Sequence, residues 1–160
     1  MSTKLVAYFS ASRVTAELAK TMAEVVGADL YEIKPEVLYT DADLNWRDKQ
    51  SRSSIEMQNP ASRPAIADKD AGIDAYDIVY LGFPIWWYVA PTIINTFLES
   101  YDFSGKTIIP FATSGSSGYG QATEMLRPSV PDTVIWKNGV ILKGKASKAE
   151  LARWIETFAL

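Results

Sequence analysis

Two rhythms of apolar and polar positions alternate along this chain: short, dense apolar runs and longer stretches at helical spacing. Lys4-Leu5-Val6-Ala7-Tyr8-Phe9 is an apolar run that ends in the polar residues 10–15, the pattern of a buried strand entering a loop. Across residues 16–26, Leu18, Met22, Val25 and Val26 recur at helical spacing, with Thr15 placed to cap the helix and Gly27 to stop it. Residues 29–33 alternate as an outer strand with one wetter face does, and Pro35 ends them. Residues 77–83 have the near-continuous apolar character of a central parallel strand and run straight into Pro84-Ile85-Trp86-Trp87-Tyr88. The spacing then predicts a helix over 91–100, a strand over 107–112, a loop over 113–120, a short helix over 121–127 and a strand over 133–136. Asn138-Gly139 reads as a turn before Val140-Ile141-Leu142, and Ser147 caps a final helix to Phe158.

Strands alternating with helices predict an α/β fold, a parallel sheet joined by right-handed crossovers with helices on both faces. In such sheets ligands bind beyond the carboxyl ends of the strands, where the strand order reverses. Three polar or aromatic loops follow the first, third and fourth strands. Residues 39–72, rich in Asp, Ser, Asn, Arg and Pro, carry only weak helical pattern near 44–46 and 51–57, and read as a long excursion with short helical pieces.

Composition narrows the function. At 160 residues and 48% hydrophobic content, one domain spanning 1–160 is the expectation. No apolar run approaches the roughly 20 residues that cross a bilayer, and the first residues are too short an apolar stretch for a signal peptide. The expectation is a cytoplasmic protein with no membrane partner. A formal charge of −3, from 19 acidic and 16 basic residues, offers no positive field for a nucleic-acid backbone. The chain has neither Cys nor His. That excludes disulfides, thiolate nucleophiles, Cys/His zinc sites and His-based triads, so any redox chemistry must come from an organic cofactor.

Each of the three loops has a chemical reading and a plainer one. Ser10, Ser12 and Thr15 bring hydroxyls, and Arg13 and Val14 bring backbone N–H groups, to the start of a helix. Such an end cradles a phosphate, or is simply a capped turn. It lacks both Gly-x-Gly-x-x-Gly and the Walker pattern, against a standard dinucleotide or ATP site. Trp86, Trp87 and Tyr88 present flat surfaces to a planar ligand, or pack over a neighbouring element or partner. Thr113, Ser114, Gly115, Ser116, Gly118 and Tyr119 belong to a Gly/Ser loop able to approach the edge of a heterocycle, with Tyr119 as a ring contact, or serving only as a connection.

At these residues the sequence resembles the flavodoxin family, in particular a stand-alone branch with a tryptophan-rich second loop. Residues 6–15 are similar to its FMN-phosphate motif, and residues 82–87 and 113–118 to its two flavin-ring loops. The resemblance covers nearly the whole chain, and implies a sheet of five parallel strands in the order 2-1-3-4-5. It also implies non-covalently bound FMN: Ser10, Ser12, Arg13, Val14 and Thr15 on the phosphate, Pro84, Ile85, Trp86, Trp87 and Tyr88 flanking the isoalloxazine, and residues 113–119 on its other side and edge. Residues 41–46 and 51–57 also look characteristic of this branch. The chain departs from the pattern twice. Arg13 and Val14 stand where the motif carries Gly-Asn, and no glycine lies between Phe83 and Tyr88, where electron carriers of the family often place a peptide able to flip beside flavin N5.

The expected function is FMN-based electron transfer between a reductase and a redox partner protein or a small-molecule acceptor. A first alternative is an FMN-dependent NAD(P)H:quinone-type reductase. A second, of another class, is a non-redox binding module working through Trp86, Trp87 and Tyr88.

Overall fold

The structure, a computed structural model, describes residues 3–114, 118–143 and 145–158. Strand β1 (Lys4–Tyr8) leads to helix α1 (Val14–Val26), β2 (Asp29–Glu32), and, within the excursion, α2 (Arg52–Gln58). Then come β3 (Ile78–Pro84), α3 (Thr92–Glu99), β4 (Thr107–Thr113), α4 (Ala122–Leu126), β5 (Ile135–Trp136), β6 (Val140–Ile141) and α5 (Lys148–Glu156). The strands run in the order β2-β1-β3-β4-β5 with every pairing parallel, the expected α/β, flavodoxin-like topology.

Alternation along each central strand divides the core in two. Leu5, Ala7 and Phe9 share one face with Val79, Leu81, Phe83 and Ile108, packed with Ile93, Ile94 and Phe97 of α3. Val6, Tyr8, Tyr80, Ile109 and Phe111 face the other way, onto Leu18 and Met22 of α1 and Leu151 of α5. Gly82 has no side chain because the Phe111 ring occupies that space; a Cβ there would lie 2.5 Å from Phe111 Cζ. Edge strand β2 is largely exposed, as its mixed pattern predicts.

Two local expectations change. Thr15 does not cap α1: the helix starts at Val14, its N-cap is Arg13 at φ 70°, and the cap makes no side-chain hydrogen bond. Asn138-Gly139 does not reverse the chain either. β5 and β6 both run parallel to β4 along the same edge, so residues 137–139 interrupt one fifth strand instead of turning a hairpin. The interruption makes room for a side chain, since a Cβ on Gly139 would lie 2.1 Å from the Tyr119 hydroxyl.

Among the described residues no helix is long and apolar enough to cross a membrane. Among the described residues the hydroxyls of Ser53, Tyr80 and Thr92 are buried with no hydrogen-bond partner; that of Tyr80 lies in the central strand β3, and burial pushes its ionisation upward. An unsatisfied buried hydroxyl costs about 1–3 kcal/mol of desolvation. Tyr80→Phe should therefore leave stability unchanged or raise it by about 1 kcal/mol. Urea unfolding reads this directly, and a loss larger than about 1 kcal/mol would mean that the hydroxyl is paired.

Candidate functional site

The ends of β1, β3 and β4 bring the three loops to one edge of the sheet. Thr113, the last residue of β4, ties them together. Its Oγ1 lies 2.8 Å from Thr15 Oγ1, both side chains being buried, and its carbonyl accepts from Ile85 N–H at 2.8 Å. The first loop is thereby fixed to the third, and the third to the second.

In the first loop Ser10 Oγ accepts from Ala16 N–H at 3.1 Å, and Glu17 N–H bonds Arg13 C=O at 3.0 Å. The N–H groups of Ser12, Arg13, Val14 and Thr15 meet no acceptor among the described residues, the usual state of a helix N-terminus. Ser12, Arg13 and Val14 are exposed. Arg13, standing where the motif carries glycine, still takes the left-handed conformation, and such a residue in a run of free N–H groups helps form an anion-binding concavity.

The second loop holds a surprise of the same kind. Trp87 and Tyr88 both have positive φ, 49° and 67°. They form the centre of a tight reversal in which Trp86 N–H bonds Val89 C=O at 2.9 Å and Val89 N–H bonds Trp86 C=O at 3.1 Å. Mirror-image turns of this sort are ordinarily built on Asn-Gly. Here two large aromatic residues occupy them, and both are exposed. Trp86, by contrast, turns inward, its ring edge-on to Phe9 at 5.9 Å and to Tyr39 at 5.6 Å. Pro84 ends β3 and Ile85 is buried behind the turn.

In the third loop Ser114 is half-buried and Gly118 exposed, while Gly115 and Ser116 lie outside the described residues. Tyr119 is not splayed toward the other loops: its ring packs over Phe83 at 6.5 Å and its hydroxyl pairs with Thr123 Oγ1 at 2.8 Å. Burial pushes its pKa up to about 12, against a smaller lowering effect of the Thr123 bond. Gln121 N–H donates to Tyr88 C=O at 3.0 Å, so the third loop also locks the strained turn of the second.

The excursion forms a wall beside the second loop, where a plain reading of residues 41–46 and 51–57 as a cap on the sheet edge near the site would put it. Arg52 lays its guanidinium over the Tyr39 ring, 3.8 Å from the centroid, and pairs with Glu56 at 3.0 Å. The Tyr39 hydroxyl donates to the same carboxylate, and burial first, then this bond, push its ionisation upward. Since Tyr39 touches Trp86, the network fastens α2 to the second loop. Beyond it, Trp46, Arg47, Lys49, Ser54 and Met57 share with Trp87 an open cavity of ≈ 680 Å³. The sequence signals for this wall are the stretches 41–46 and 51–57, with a tryptophan, Trp46, in otherwise polar surroundings.

A family model described as Flavodoxin matches residues 3–158. Among solved structures, a protein from Bacteroides eggerthii described as a candidate flavoprotein is 46% identical, covering 100% of this chain and 99% of that one, with a TM-score of 0.93. A second so described, from Bacteroides uniformis, is 50% identical over 97% of this chain and 98% of that one, with a TM-score of 0.91. Among curated proteins, an FMN-dependent NADH:quinone oxidoreductase of Bacillus cereus is 28% identical over 155 residues, 95% of this chain and 68% of its own length.

The lock on the second loop depends on Gly120, at φ 56°, where a Cβ would lie 2.5 Å from the Tyr88 carbonyl oxygen. Backbone atoms cannot swing aside as a side-chain end can, and the positive φ adds strain. Gly120→Ala should cost about 2 kcal/mol of stability. A thermal unfolding midpoint equal to the wild type would show that the two loops are not packed this closely.

Proposed function

This chain belongs to the flavodoxin family, and from that premise we propose that it binds FMN at the three joined loops and delivers electrons to a small-molecule acceptor. One observation carries the proposal. The free N–H groups of residues 12–15, the exposed aromatic turn of residues 87–88 and the Gly/Ser loop lie at one sheet edge, linked through Thr113.

The residues fit the group. A phosphate suits the N–H groups of Ser12, Arg13, Val14 and Thr15, helped by the partial positive charge of the α1 N-terminus and the exposed Ser12 hydroxyl. Thr15 Oγ1 can accept the proton of Thr113 Oγ1 and keep its own to donate. Ser10 serves by bonding Ala16 N–H and shaping the loop. Trp87 and Tyr88 offer exposed aromatic surface to an isoalloxazine, with Pro84, Ile85 and Trp86 setting the turn behind them. Thr113, Ser114 and Gly118 would approach the ring edge, with Gly115 and Ser116 assigned from the family motif and Tyr119 acting through packing. Bound FMN supplies one- and two-electron chemistry that no side chain of a chain without Cys or His supplies.

Two sources of electrons are open to such a protein. Direct reduction by NADH is supported by the FMN-dependent NADH:quinone oxidoreductase of Bacillus cereus and by the cavity beside Trp87, which has room for a small substrate. Reduction by a separate reductase is the electron-carrier reading. Steady NADH oxidation by the purified FMN-loaded protein with a quinone supports the enzyme; turnover only after a reductase is added supports the carrier.

The phosphate assignment has its own test. Thr15→Val keeps the shape but removes a charge-assisted hydrogen bond, and should weaken FMN by about 1.5–3 kcal/mol. Riboflavin, which has no phosphate, serves as the control because any general loosening of the fold affects both ligands. Equal weakening of the two in flavin-fluorescence titrations would show that the Thr15 hydroxyl acts through its bond to Thr113 and not on the phosphate.

A further inference from the structure

Among the described residues, the cavity beside Trp87 touches the three loops through that residue alone, and the rest of its lining comes from the excursion. Its ≈ 680 Å³ lies within the usual range of roughly 300–1,000 Å³ for small-molecule sites. Trp46 and Trp87 keep 64% and 44% of their surface exposed, costly for the two largest side chains on the wall of one recess. Two cations stand with them. The Arg47 guanidinium lies 5.1 Å from the Trp46 ring centroid, and neither Arg47 nor Lys49 forms an ion pair among the described residues.

Three of the neighbouring carboxylates are otherwise engaged. Of the four between residues 41 and 56, Asp43 accepts from Thr40 N–H at 2.9 Å, Asp48 from Gln50 N–H at 2.9 Å, and Glu56 from Arg52 and Tyr39. On a chain of net charge −3, the described lining of this cavity carries two cations and no carboxylate. Flat rings gain from aromatic walls, and anionic groups gain charge-assisted hydrogen bonds from Arg and Lys beside those walls.

We propose that this cavity binds a planar aromatic molecule bearing negative charge, its ring against Trp46 and Trp87 and its charge on Arg47 and Lys49. Its place as the reaction partner rests on the FMN reading above; its binding does not.

The probe is a naphthoquinone sulfonate, with menadione as a neutral ring of similar size; no Cys is present to form thiol adducts. Calorimetric titration of the oxidised, FMN-loaded protein should show the sulfonate binding about tenfold or more tighter than menadione, and less so as salt rises. Arg47→Ala combined with Lys49→Ala should abolish that preference and leave FMN affinity within about twofold, while Trp46→Ala should weaken both quinones. A preference that survives the double variant overturns the proposal. Loss of FMN from the double variant overturns it too, because the cavity would then be the flavin's own bed. A wild-type protein that takes up no FMN sinks the FMN reading alone, and the same titration of that protein still decides the cavity.

Discussion

Everything at the candidate site depends on Thr113. A residue at the end of β4 cannot reach the other strands' loops through its backbone alone. The buried hydroxyl pair with Thr15 carries the β4 end across to the start of α1, while its carbonyl holds Ile85 at the mouth of the second loop. Burial makes the pair demanding, because a hydroxyl left alone in a water-poor site costs more than the bond contributes when made. The three loops therefore behave as one object, and a displacement of any of them must break a polar contact that water does not readily replace.

That object is strained. Arg13, Trp87 and Tyr88 take positive φ without being glycine, each at a cost on the order of 1 kcal/mol. They are the only non-glycine residues to do so among those described, and all three lie in the first two loops. Such strain persists only where surroundings over-determine it. For Trp87 and Tyr88 the surroundings are the reciprocal bonds between Trp86 and Val89, the Gln121 donor on Tyr88 C=O and the backbone contact with Gly120. A turn fastened at this many points presents its rings in one arrangement. With the Tyr88 carbonyl already occupied, it is poorly suited to the freely flipping peptide of a glycine-bearing carrier.

The central architecture is legible in the sequence because its signals are local. The dense apolar runs of β1, β3 and β4, the helical spacing of α1 and α3, and the Ser147 cap each depend on neighbours a few residues away. The site is less legible for the opposite reason. Nothing near Arg13 or Trp87 in sequence announces a left-handed backbone, since the usual marker, glycine, is absent. The inward turn of Trp86 depends on Phe9 and Tyr39, and the break between β5 and β6 on Tyr119. In each case a long-range contact overrides the local pattern.

The excursion bears most directly on which kind of redox protein this is. A protein that exchanges electrons only with other proteins gains from a flat, open approach to its cofactor, because docking two surfaces tolerates few projections. Here residues 39–58 are held against the second loop by the Tyr39, Arg52 and Glu56 network, whose members are all at least half-buried. That attachment raises a wall beside Trp87 and turns open surface into a recess. A recess excludes large partners and concentrates small ones, and the cations at its rim oppose the acidic balance of the rest of the chain. This geometry supports the proposed small, charged reaction partner over a protein surface, and it does so through residues that lie outside the three loops.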